Sequence, residues 1–129
     1  MGSDLERMGD LSHHIAKVAR LRHPNNAIPN DLILAFTEMG YVAEKLSTKV
    51  ATVITTRDTD MALQVEKDDD EMDDLHRKVI AGILSSGAGI TIESAIDLTL
   101  LGRYYERFAD HAVAVARRVY FLVKGEFPA

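Results

Sequence analysis

The stretch PNDLILAFTEMGYVAEKLSTKVATVIT, residues 29–55, decides the fold. Its apolar positions Leu32, Phe36, Met39, Ala43, Leu46, Val50 and Val53 alternate in steps of four and three. A seven-residue rhythm of this kind keeps one seam of a helix turned toward a partner helix. Pro29 suits the first turn, where its missing N–H is not needed. Residues 50–56 are rich in β-branched side chains, which makes that end the weakest part of the helix.

Outward from this segment the pattern repeats. Residues 58–85 carry Met61, Val65, Met72, Leu75, Val79 and Gly82 on the same rhythm, with Asp68 in an expected apolar slot. Residues 91–124 carry two stripes. Leu101, Tyr105, Phe108, Ala112, Val115, Val119 and Leu122 form one. Ala109, Val113, Ala116, Tyr120 and Val123 form the other. A helix apolar on two faces is buried between neighbours. Gly125 ends it as a C′ residue. Breaks are predicted at residues 22–26, 56–59 and 85–89, each holding residues that stop or cap helices. The expectation is all-α: an antiparallel bundle of four long helices joined by short loops.

Composition narrows the function classes. The chain has 129 residues, 47% apolar and 27% charged, enough for a core in a single globular unit. A net charge of −5 argues against a general nucleic-acid binder. The absence of cysteine removes disulfides, iron–sulfur clusters, thiolate zinc sites and thiol catalysis. It also fits a cytoplasmic protein. The longest uncharged stretch, residues 79–92, is broken by glycines and too short to span a bilayer. Gly87-Ala88-Gly89 is not a phosphate-cradling motif, and Ser85 and Ser86 have no evident base partner.

The first segment matches the last at an offset of 100. Glu6-Arg7 aligns with Glu106-Arg107, Asp10 with Asp110, Ala16 with Ala116 and Lys17 with Arg117. Both copies place a glutamate and an aspartate at i and i+4, one turn apart on one helix face. Like charges at that spacing repel unless a cation or a proton neutralises them. Glu106 falls on the second apolar stripe of its helix, so partial burial is expected. The third segment adds Glu66-Lys67-Asp68-Asp69-Asp70-Glu71-Met72-Asp73-Asp74, in which Asp69 with Asp73 and Asp70 with Asp74 repeat the i, i+4 pairing. Taken alone, such a run is a solvated face. Set beside the two Glu–Asp pairs, it supplies the clustered oxygen ligands that metal sites on neighbouring helices use. Asp10-x-x-His13 and Asp73-x-x-His76 are a shortened form of the Glu-x-x-His pattern of di-iron bundles. His14-x-x-Lys17 is only loosely like a phosphotransfer histidine motif.

These motifs resemble a known family. Asp4-Leu-Glu-Arg-Met-Gly-Asp10-Leu, with His14-Ile-Ala-Lys17, is similar to the third-helix signature of the PhoU family. Tyr105-Glu-Arg-Phe-Ala-Asp110-His-Ala112-Val is similar to its second copy, and residues 69–76 resemble its second-helix acidic motif. The resemblance implies two tandem three-helix units. Residues 1–23 would be the last helix of a truncated first unit and residues 24–129 a complete second one. It implies a cytoplasmic negative regulator of phosphate uptake and of phosphate-starvation signalling, and not an enzyme. Its implied partners are a phosphate ABC transporter ATPase subunit and a sensor histidine kinase, with no nucleic acid and no membrane insertion. The implied cofactor is a divalent or trivalent metal ion, iron or zinc ahead of magnesium. Glu6 and Asp10 would serve one metal site and Glu106 and Asp110 the other, with Asp69, Asp70, Asp73 and Asp74 contributed by the second helix. The uncovered faces of the first and last helices predict a homodimer. A di-iron carboxylate oxidase and a metal-free helical scaffold are the alternatives.

Overall fold

A computed structural model describes residues 2–22, 30–85 and 90–128, with the side chains of 18–22 outside the described set. It contains four helices: α1 (Gly2–Arg22), α2 (Asn30–Thr56), α3 (Thr59–Ser85) and α4 (Ile92–Lys124). No strand occurs among the described residues. The chain is therefore the all-α bundle that its periodicity predicts. Pro24, Asn25, Asn26, Gly87 and Gly89, which carry the first and third predicted breaks, lie outside the described residues, as does Pro29, expected in the first turn of the second helix.

The second break is visible in atomic detail. Arg57 adopts a left-handed backbone conformation, with φ 57°. Its N–H donates to the Val53 carbonyl at 2.8 Å, closing the last turn of α2. Asp58 then caps α3 by accepting from the Met61 N–H at 3.1 Å. Two residues thus reverse the chain, and the β-branched end of α2 stays helical to Thr56 because α3 packs along it. A non-glycine residue with positive φ is strained by roughly 1–2 kcal/mol. Arg57→Gly should therefore stabilise the protein, by up to about 1 kcal/mol once glycine's greater unfolded entropy is counted. Urea denaturation would show it as a higher midpoint at unchanged slope, and a lower midpoint would refute it.

α4 begins at Thr91, whose hydroxyl accepts from the Ser94 N–H at 3.1 Å. It ends at Gly125, with φ 78° and an N–H donated to the Phe121 carbonyl at 2.8 Å. At ~1.5 Å per residue the helix runs roughly 50 Å. α3 packs against α2 and α4, α2 also touches α4, and α1 lies on the remaining face of α4. Met39, Leu46, Val53, Val65, Met72, Val79, Val115 and Ala116 are closed to solvent at the centre. Met8 and Leu11 of α1 join this core beside Phe108. A second small cluster of Leu32, Ile90 and Leu98 closes the opposite end. Leu122 and Val123, predicted on the apolar stripes, are exposed near the end of α4, where Leu122 lines a groove with Ile54, Arg57 and Val119.

The two repeat copies lie against each other, head to tail. His111 Nδ1 meets Asp4 Oδ1 at 2.9 Å, and ten residues further along α1 the His14 ring stacks on Tyr104. Rising numbers on α1 meet falling numbers on α4.

Asp68 occupies its apolar slot in the α2–α3 seam and is only 7% exposed. Lys49 Nζ lies 2.8 Å from Oδ2 and Lys45 Nζ 3.7 Å from Oδ1. The buried charge is thus neutralised from α2, by two lysines whose ammonium ends reach toward solvent.

Candidate metal centre

An α-helix turns ~100° per residue, so a run of acids is dealt out to different neighbours. Asp68 goes to α2. Glu71 accepts from Lys45 Nζ at 2.9 Å. Glu66 lies 3.7 Å from Arg117 of α4. Asp74 turns outward and pairs with Arg77. That leaves Asp69, Asp70 and Asp73, whose carboxylate oxygens lie within 4.8 Å of one another, the only such cluster of three among the described residues. Asp69 and Asp73 are half-buried and Asp70 is exposed.

Half-buried Glu106 and exposed Asp110 of α4 stand near enough for their charges to act on this cluster, without joining its close group of three. Burial, then the neighbouring charges of Asp73, Asp110, Asp70 and Glu106, push the Asp69 carboxyl up to about 7. Burial and the charges of Glu106 and Asp110 raise Asp73. Asp110 is raised by burial and by Glu106, against the opposing charges of Arg103, His111 and Arg107. Asp69 Oδ1 is buried with no hydrogen-bond partner. An orphaned carboxyl oxygen under the charges of four other carboxylates is the local chemistry that a bound cation would relieve.

Glu106 is half-buried and doubly held. Arg103 pairs with one of its oxygens, and His76 Nδ1 lies 2.6 Å from the other. The remaining sequence candidates lie apart from this cluster. Glu6 and Asp10 are exposed on α1, where the contact with α4 is made by Asp4 instead. Asp74 is engaged with Arg77. Lys45 and Lys49 are not among the sequence candidates, and His76 enters the sequence reading only through Asp73-x-x-His76 as a di-iron alternative, not as a partner of Glu106. The signals that mark them are positional: His76 lies seven residues after Asp69 on one helix face, and the two lysines stand opposite an acid in an apolar slot.

The fold and this site together define a helical bundle with a cluster of aspartates on α3 beside the Glu-Arg-x-x-Asp motif of α4. Residues 36–119 match the PhoU domain model, and the chain belongs to the PhoU domain family. It is 46% identical over 128 residues to the "Phosphate-specific transport system accessory protein PhoU homolog 2" of Mycobacterium bovis. It is 44% identical over 128 residues to the PhoU homolog 1 of Mycobacterium leprae. These alignments cover 99% of this chain but 60% and 58% of the respective relatives. The chain thus spans about three-fifths of the length of the curated relatives it matches. Among the described residues, no helix is long and apolar enough to cross a membrane.

Proposed function

We propose that this chain is a regulatory accessory of phosphate transport that works by protein contact, aided by metal ions held between α3 and α4. The relatives' names support the transport context. The observation that carries the metal reading is the convergence of Asp69, Asp73, Glu106 and Asp110 around a buried, unpartnered oxygen. Asp69, Asp70, Asp73, Glu106 and Asp110 would hold the ion. Their all-oxygen donor set suits iron or magnesium better than zinc. When bound, the ion would supply the positive charge that lets two acidic helix faces lie together in one fixed arrangement.

The outer acids, Asp74 among them, would then meet basic surfaces on a transporter ATPase subunit or a sensor histidine kinase in the cytoplasm. Contact is favoured over oxidase chemistry because the relatives are named as accessory proteins of a transport system. A homodimer belongs to the same reading. Ile92, Ile96 and Leu100 stand exposed at one-turn intervals along α4, and the first-repeat acids Glu6 and Asp10 would draw their second-helix partners from another copy.

Elemental analysis tests the centre. The purified protein should hold stoichiometric metal after chelation and reloading, and Asp110→Ala should lose it. No retained metal in either protein would remove the site and leave family membership and partner contact as the basis of function.

A further inference from the structure

Resting on the metal-centre reading, the geometry points to His76 as the positioning residue that holds Glu106 toward the aspartates of α3. Glu106 projects from α4, yet its carboxylate is gripped from the opposite helix. His76 Nδ1 lies 2.6 Å from Oε2, and the two side chains are 17% and 20% exposed. The second grip, Arg103, comes from Glu106's own helix and is 54% exposed. A half-exposed arginine one turn away follows the glutamate wherever it goes. A ring fixed on α3 does not.

The ring is fixed by its surroundings. A Cβ at position 102 would lie 3.1 Å from His76 Cδ2 and 3.5 Å from Nε2, and the same point is 3.7 Å from Val79 Cγ1. Gly102 is therefore a notch in α4 that the imidazole fills edge-on. It lies one turn before Glu106, on the same face of the helix. His76 lies three residues after Asp73 and seven after Asp69, on the α3 face that carries the cluster. A carboxylate oxygen has two lone pairs, so a donor on Oε2 leaves room for an ion. Partners of this kind decide which way a ligating carboxylate points, and their loss typically costs 10–100-fold in metal affinity.

The test is a titration of the full chain with Mn²⁺, read by loss of the free-ion EPR signal. His76→Phe fills the notch with an apolar ring and should weaken Mn²⁺ binding about 10–100-fold. His76→Asn, whose amide nitrogen sits on Cγ where Nδ1 does, restores an N–H at the same reach and should recover most of that loss. Gly102→Ala should weaken binding without altering any donor, by displacing the ring. Asp69→Asn serves as the control for the centre itself. Wild-type affinity in His76→Phe while Asp69→Asn loses the ion would overturn the role of His76 and leave the centre standing. Equal weakening in His76→Phe and His76→Asn, in step with a fall in Tm, would reduce His76 to packing and also overturn it. Wild-type affinity in Asp69→Asn would sink the centre and this inference together.

Discussion

Asp69→Asn is expected to raise the melting temperature of the metal-free protein above neutral pH while abolishing its metal uptake. The wild-type carboxyl is pushed up to about 7 from an ordinary 3.8, first by burial and then by Asp73, Asp110, Asp70 and Glu106. Between those two values the folded state keeps the proton and the unfolded state releases it. The unfolded chain then binds fewer protons, so this group's contribution to stability falls as pH rises through that window and is gone above it. Asp73 and Asp110 are raised too and act in the same direction. Asp69 is only half-buried, so solvent screening leaves on the order of 1–2 kcal/mol of repulsion to relieve. Thermal melts in chelator between pH 5 and 8 should show wild-type Tm dropping with pH, and the variant's dropping less. A variant that melts below wild type at pH 8 would contradict the account. It would also favour a metal-free scaffold if metal content were unchanged.

The largest loss should come from the seam. Leu46 is 0% exposed and packs in the central cluster with residues of all four helices. Leu46→Ala removes its buried apolar surface and leaves a cavity, at a cost of about 2–5 kcal/mol. That is a large share of the ~5–15 kcal/mol by which domains are stable. Ile92→Ala, at a residue 82% exposed, should stay within about 0.5 kcal/mol of wild type. Urea denaturation of the two variants side by side decides the matter. A Leu46→Ala cost below that of Ile92→Ala would mean that the seven-residue rhythm does not mark the core.

The bundle was legible because the rhythm of residues 29–55 admits one geometry, and the turns around it carry residues that end helices. The structure buries Val42 in addition to the strict seam, since a helix packed against two neighbours needs a broader stripe. The acidic run was only half legible. Spacing places Asp69 with Asp73 and Asp70 with Asp74, but it does not say which pair faces α4. That depends on the rotation of α3, which Val65, Met72 and Val79 set by entering the core. Asp74 thereby turns to solvent while Asp69 and Asp73 turn inward. The first-repeat pair shows the complementary limit. Glu6 and Asp10 match Glu106 and Asp110 in sequence, but α1 has no acidic helix beside it comparable to α3.

The lysine-held Asp68 has a consequence for how the hairpin of α2 and α3 comes together. A seam of repeating apolar residues tolerates sliding, because each step of seven restores much the same surface. Here a slide of one repeat would carry Asp68 off Lys45 and Lys49, toward Met39 and Val42 in one direction or Val53 and Ile54 in the other. Stranding an unpaired carboxylate among those side chains costs several kcal/mol. The charge thus works as a key in a lock of otherwise interchangeable teeth. The hairpin closes in one alignment, and that alignment fixes how far along α4 the aspartates of α3 come to rest.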